Sequence, residues 1–249
     1  MIRIAVISDV HSNLEALMAV LNDMSGFDID LVACLGDFIG YGPKPKECFH
    51  IIQHICQIML EGNHEAAVLT PYEKNKQNIN EFALAGILYT QSQLEKEQIF
   101  LLNTLPLFQT FGELLSFGHA SVIESKIWDY VDSEDSIFQQ IRQMKTRIGF
   151  IGHTHQPFVY NDLQRGVRDF VDEENFFDLS DNSRYLINVG SVGQPRDSDH
   201  RACYAILEIE QEKVFLRIRK VKYDHLATAQ EIIRVGLPKA LGDRLKYGR

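Results

Sequence analysis

Basic residues are in short supply. Twenty-five Lys and Arg stand against 34 Asp and Glu in 249 residues, a net charge of −9. A field of that sign repels a phosphate backbone and an anionic bilayer, so general nucleic-acid binding and membrane-surface binding are not expected. A bound metal can reverse the sign locally, which leaves small phosphorylated ligands open. Long apolar runs are missing as well: none approaches the ~18 residues that span a membrane. The chain opens on Ile2-Arg3-Ile4-Ala5-Val6-Ile7, with neither a basic leader nor a small-residue cleavage site. Its four cysteines, Cys34, Cys48, Cys56 and Cys203, form no CxxC pair. Cys34 and Cys203 sit inside apolar runs and read as buried thiols in a reducing compartment. A cytoplasmic protein is expected.

What is present is ordinary globular material, 45% hydrophobic and 24% charged. The short apolar runs Ile2–Ile7, Leu31–Leu35, Ile55–Leu60, Leu114–Phe117, Ile148–Ile151 and Tyr185–Val189 predict strands buried on both faces. Between them, Asn13–Met24, Lys46–His54, Ile79–Leu105 (broken near Gln93-Leu94) and Ser133–Lys145 carry helical spacing. Ala202–Glu208 and Lys213–Val221 read as an antiparallel pair. The polar stretch Asp162–Arg184 reads as an elaborated loop or hairpin. No repeat, linker or low-complexity tract interrupts the alternation, which predicts a single α/β domain over residues 1–249 with a helical tail at about 223–246. Phe82 and Phe100, at helical spacing, are expected in the core, and the helical segment Thr70–Thr104 either overhangs a cleft or packs on a sheet.

The most informative residues sit at the ends of the strands. Ile7 leads into Ser8-Asp9-Val10-His11, Leu35 into Gly36-Asp37, and Leu60 into Glu61-Gly62-Asn63-His64-Glu65. Phe117 leads into Gly118-His119-Ala120-Ser121, and Ile151 into Gly152-His153-Thr154-His155. Carboxyl ends of neighbouring strands in an open α/β sheet share one crevice, so these blocks are expected to converge. Carboxylates, imidazoles and an Asn carbonyl are ligands for divalent Mn, Fe, Co, Ni or Zn. About seven candidate ligands exceed the three that one catalytic zinc takes. Two ions, with Asp37 between them, are therefore expected, an arrangement that clamps attacking and leaving oxygens at phosphorus.

Asp9-x-His11, Gly36-Asp37, Gly62-Asn63-His64-Glu65, Gly118-His119 and Gly152-His153-Thr154-His155, in this order, resemble the calcineurin-like metallophosphoesterase superfamily. Asp9–Leu17, Gly40-Tyr41-Gly42-Pro43 and Asn188–Asp197 resemble its small bacterial branch of phosphodiesterases and diadenosine-tetraphosphatase-like hydrolases. The resemblance implies a four-layer α/β sandwich of two mixed sheets flanked by helices. It implies one metal on Asp9, His11, Asp37 and His155, a second on Asp37, Asn63, His119 and His153, and His64 as the catalytic side chain. It implies hydrolysis of a small phosphorylated substrate by a metal-bridging hydroxide, with a phosphodiester or dinucleoside polyphosphate as first choice. Glu65 stands where many members have Asp, and Ala120 where branch members often have Gly; both departures bear on support and room around the site.

A phosphomonoesterase or protein phosphatase shares this chemistry, but Gly36-Asp37 lacks the Asp-Arg-Gly continuation of the serine/threonine phosphatases. A non-catalytic scaffold is expected to have lost ligands or the catalytic histidine, and this chain keeps them. A nuclease conflicts with the charge. Tyr41 and Arg196, in Gly/Pro-rich loops, are candidate substrate contacts, by stacking or by binding phosphate. His50 and His54 lie one helical turn apart without a third donor and read as a solvated face, as do His200 and His225. Asp197 is expected to pair with an Arg, and Asp172, Glu173 and Glu174 to form a solvated loop face.

Overall fold

From Ile4 onward the first strand is buried on both sides, and alternate residues enter different cores. Ile4 and Val6 join one cluster and Ala5 and Ile7 another, the period-two division of a strand covered on both faces. The computed structural model describes residues 1–123, 127–163, 166–168, 170 and 172–249. In chain order it begins with β1 (Ile2–Ile7), α1 (Leu14–Met24), β2 (Leu31–Cys34), α2 (Pro45–Ile55) and β3 (Ile58–Met59). Four helices come next: α3 (Asn63–Leu69), α4 (Tyr72–Asn78), α5 (Glu81–Gln93) and α6 (Lys96–Leu102). They lead to β4 (Phe108–Phe111), β5 (Leu115–Gly118), α7 (Glu134–Gln143), β6 (Ile148–Ile151) and β7 (Phe158–Asn161). The chain continues with β8 (Gly166–Val167), β9 (Glu174–Asp178), β10 (Tyr185–Asn188), β11 (Ala202–Glu210) and β12 (Lys213–Val221). It closes with α8 (His225–Arg234), α9 (Lys239–Asp243) and a 3-10 turn at Arg244–Lys246.

The strands form two mixed six-stranded sheets, ordered β3-β2-β1-β11-β12-β9 and β4-β5-β6-β10-β7-β8. β1 runs parallel to β2 and antiparallel to β11; β6 runs parallel to β5 and β10. Val6, Ala33 and Leu35 from the first sheet pack against Phe117, Phe150 and Ile187 from the second, so the main core lies between the sheets. Leu17, Val20, Phe49 and Ile52 cover the outer face of the first sheet, and Ile137 and Ile141 of α7 cover the second. This is the four-layer α/β sandwich the resemblance implies. Helix starts obey the sequence signals: the side chains of Asn13 and Ser133 accept from Ala16 and Ser136 backbone N–H groups.

Several expectations change. The five motif-bearing strands do not belong to one open sheet: β1, β2 and β3 lie in the first, β5 and β6 in the second. Asp162–Arg184, whose residues 164, 165, 169 and 171 fall outside those described, is not a self-contained hairpin. Its β8 pairs with β7 and its β9 with β12, so the segment passes from one sheet to the other. Ile55 ends a helix rather than opening a strand, leaving β3 only two residues long. Phe82 is 38% exposed and Phe100 72%, because the faces of α5 and α6 that carry them turn outward. Asp197 pairs with Lys220, not with an Arg. Glu174 is tied to Arg217 and Arg219 by the β9–β12 pairing, whereas Glu173 stays exposed beside Lys222.

Candidate metal centre

Seven residues in the blocks after β1, β2, β3, β5 and β6, namely Asp9, His11, Asp37, His64, His119, His153 and His155, are buried together where the two sheets meet. Backbone bonds lace these loops: Asp9 N donates to Gly36 O (3.1 Å), His11 N to Asp37 O (2.9 Å) and Gly152 N to His119 O (2.8 Å). Gly152 is required here, since a Cβ on it would lie 2.4 Å from Asp9 Oδ2. Asp9, His11, Asp37, His153 and His155 all have positive φ, between 47° and 63°. Each such residue stores on the order of 1–3 kcal/mol of strain, a cost tolerated where geometry serves function.

Each carboxylate divides its oxygens between scaffold and centre. Asp9 Oδ2 accepts from His153 N at 3.0 Å, while Asp9 Oδ1 is buried with no hydrogen-bond partner. Asp37 Oδ1 accepts from His64 N at 2.8 Å. Asp37 Oδ2 faces His119 Nε2 at 3.4 Å, His11 Nε2 at 3.8 Å and His64 Nε2 at 4.0 Å.

The imidazoles are oriented from behind. His11 Nδ1 lies 3.2 Å from Ile39 O and His155 Nδ1 2.6 Å from Gln194 O, which assigns the proton to Nδ1 in both rings. Both Nε2 atoms then present lone pairs, and they face each other at 3.1 Å. Two lone pairs that close, with Asp9 Oδ1 3.2 Å from His155 Nε2 and 3.7 Å from His11 Nε2, suit a cation between the three atoms. His153 turns its Nε2 to Trp128 O at 3.0 Å, which leaves Nδ1 for the centre. His119 Nε2 meets Asn63 Oδ1 at 3.2 Å. Three trios of donor atoms, each within 4.8 Å, could hold an ion: Asp9/His11/His155, His11/Asp37/His64 and Asp37/His119/His153. Asp37 and His11 are shared between trios, and His64, outside the expected ligand sets, completes one of them.

Burial governs the electrostatics. It drives His11 well down and brings His64 and His153 to about 4, so these rings are neutral at pH 7. Against burial, the charge and hydrogen bond of Asp37 hold His119 up at about 9. Despite their burial, the histidines around Asp9 and Asp37 keep both carboxylates below their usual range.

His64, the second residue of α3, lies beside Tyr41, ring centroids 4.5 Å apart; Tyr41 in turn meets His11 at 4.8 Å. Arg196 Nη2 donates to Gln194 Oε1 at 3.1 Å, and Arg244 Nη1 to the same oxygen at 3.3 Å. Arg244 also lies 5.9 Å over the Tyr41 ring. Among the described residues neither arginine makes an ion pair. The rings of His50 and His54 lie 4.2 Å apart at a 47° tilt on an exposed helix face, and neither residue is in any of these trios.

Sequence reasoning missed Arg244, Gln194, Trp128 and Tyr130, and it saw Glu65 only as a departure. Arg244 comes from the helical tail and the aromatic pair from a loop, positions that no motif marks. Glu65 carries a legible signal, an acid three residues after Gly62 at a helix start. Its carboxylate accepts from the backbone N–H groups of Asp37 (2.7 Å), Phe38 (3.0 Å), Ile39 (3.3 Å) and Gly62 (2.8 Å), pinning the Asp37 loop to α3.

An uncharacterized protein of Methanocaldococcus jannaschii is 37% identical over 251 residues, covering 99% of this chain and 98% of the relative. The crystal structure of a metallophosphoesterase from Sphaerobacter thermophilus superposes with a TM-score of 0.86 at 32% identity, over 100% of this chain and 99% of the other. A hypothetical protein of Pyrococcus horikoshii shares the fold, with a TM-score of 0.80 at 18% identity over 100% and 99% of the two chains. The profile of the calcineurin-like phosphoesterase superfamily domain matches residues 2–212, a span that holds every expected metal ligand and His64. On its sequence, its fold and the donors its strands deliver, the chain belongs to the calcineurin-like phosphoesterase superfamily.

Proposed function

We propose that the protein is a binuclear metal-dependent phosphoesterase that hydrolyses P–O bonds of a small phosphorylated substrate, a phosphodiester or dinucleoside polyphosphate. The observation that carries this reading is the set of donor atoms gathered around Asp37 Oδ2 and Asp9 Oδ1, with the His11 and His155 Nε2 atoms facing each other at 3.1 Å beside Asp9 Oδ1. Asp9, His11, Asp37 and His155 would hold one divalent ion, and Asp37, Asn63, His119 and His153 the other. Mn, Fe, Co, Ni and Zn all suit this mixture of carboxylate, imidazole and carbonyl donors. Such ions supply Lewis acidity toward phosphoryl oxygen and lower the pKa of the attacking water.

The chain's own groups do the rest. His64, neutral and buried beside Asp37, donates a hydrogen bond from its ring N–H to a phosphoryl oxygen and so stabilises the charge that develops there. Arg196 and Arg244 place two guanidinium groups beside Tyr41, a fork geometry that suits phosphate oxygens. Among the described residues no helix is long and apolar enough to cross a membrane. All four cysteines are free, which supports placing the protein in the cytoplasm.

The test is hydrolysis of bis(p-nitrophenyl) phosphate against p-nitrophenyl phosphate by metal-free protein resupplied with Mn²⁺, Ni²⁺, Co²⁺ or Zn²⁺. Metal-dependent turnover of the diester is expected. Turnover of the monoester alone would make the protein a phosphatase, and silence on both with two ions bound would point to a narrow natural substrate or a non-catalytic scaffold.

A further inference from the structure

A cavity of about 350 Å³ opens beside the donor sets. Asn63 and His153 of the centre line it together with Trp128, Tyr130, Ile79 and Lys74. Its volume is near the lower end of the ~300–1,000 Å³ range of small-molecule sites, far too small for a folded protein surface.

The aromatic wall is held by the centre itself. Trp128 O takes the hydrogen bond of His153 Nε2 at 3.0 Å, and the Trp128 ring meets His119 edge-on at 5.7 Å. Tyr130 stacks on His153, ring centroids 4.6 Å apart and planes within 13°. These rings are fixed yet not covered: Trp128 is only half-buried and Tyr130 is 53% exposed. Leaving two large rings open forfeits burial that packing would otherwise supply, and rings so placed form a ready surface for stacking. Across the cavity, Lys74 is exposed and has no carboxylate within ion-pairing distance among the described residues.

We propose that this cavity receives the organic group of the phosphoester, and that this group is a planar aromatic or nucleobase ring stacking on Trp128. The assignment rests on the phosphodiesterase reading and narrows its substrate class. A ring on Trp128 has its phosphate toward Asn63 and His153, where the cavity meets the donor sets. Lys74 lines the same cavity, where a second anionic group on the same molecule would meet a cation. A substrate with only small alkyl groups leaves the aromatic wall unused.

Trp128 is the sole tryptophan of the chain, so tryptophan emission reports this cavity alone. Metal-free protein is titrated with adenosine 5′-monophosphate and, separately, ribose 5-phosphate. Saturable quenching by the nucleotide and none by the sugar phosphate is expected; equal response, or none to either, overturns the proposal. The same two compounds are then compared as inhibitors of bis(p-nitrophenyl) phosphate hydrolysis by the metal-loaded protein. The nucleotide should inhibit about tenfold more strongly, the preference collapsing in Trp128→Ala and surviving in Trp128→Phe. Equal inhibition by the two overturns the ring site while the diesterase reading stands. Absent diester turnover sinks that reading, and the fluorescence titration still decides the cavity.

Discussion

Asp37 and His64 occupy different positions relative to the donor sets, and their substitutions should fail differently. Asp37 Oδ2 lies near three imidazole Nε2 atoms, so Asp37→Asn is expected to reduce bound metal, measured by elemental analysis, and to abolish activity with the fold kept. His64 is in no expected ligand set but touches Asp37 through backbone and ring. His64→Ala should retain metal and lose about 10²–10⁴-fold in kcat on the diester. Loss of metal in that variant would make His64 a ligand, as the trio it forms with His11 and Asp37 allows. Glu65 acts a step further out, through the four N–H groups it accepts. Burial, with the charge of Asp37, raises its pKa to about 8 against those donors. Glu65→Gln places an amide NH₂ against them and should weaken metal affinity about 10- to 100-fold, read by calorimetric titration. The Asp variant, with a shorter reach, is expected to fall between.

Helix α1 is fastened to the first sheet by Asp23, near its C-terminal end. Asp23 Oδ1 accepts from Arg219 Nη2 (2.6 Å), and Asp23 Oδ2 accepts from Arg219 Nε (3.0 Å) and Tyr204 Oη (2.7 Å). Burial works to raise the Asp23 pKa, but the hydrogen bonds from Arg219 and Tyr204 win and lower it below 3.8. A depressed acid stabilises the fold above its unfolded pKa, and that stability is lost as pH falls through the folded value. Asp23→Asn should therefore cost about 1–2 kcal/mol at pH 7, discounted for partial exposure, with the gap from the parent closing as pH falls through the lowered folded pKa. Urea unfolding across pH reads it directly; a gap independent of pH would mean that shape, not charge, holds α1. The tail works in the same way at the element scale. Ile232, Leu237, Leu241 and Leu245 pack with Tyr41, so α8 and α9 back the loop that holds Tyr41 against His64.

Across the whole molecule, donors from two separate sheets meet at one place, and a cation there is expected to link the halves. Ligand that binds only the folded state stabilises by mass action, about 2.7 kcal/mol for each ion at 100-fold its Kd. Melting with and without Mn²⁺ should show a rise of several degrees that EDTA reverses and that Asp37→Asn diminishes. An unchanged melting temperature in excess metal would contradict the metal centre. Strain runs the other way: five expected ligands sit at positive φ, so metal-free protein carries that cost without the ion that favours the geometry.

The sequence by itself determined the local terms: the strands β1, β2, β5, β6, β10, β11 and β12, though not β4, β7, β8 or β9, and that Asp, Asn and His come directly after β1, β2, β3, β5 and β6. Those features depend on near neighbours, through periodicity and turn chemistry. Tertiary structure alone decided that these strand ends come from two sheets, because partner choice among strands turns on contacts far apart in the chain. It also decided that residues 162–184 pass between sheets, that Phe100 faces outward, and that Arg244 joins Arg196 on one amide oxygen. The aromatic cavity belongs to the same class: Trp128 and Lys74 are 54 positions apart in the numbering, and only the packing of α3 and α4 beside the loop after β5 makes them walls of one space.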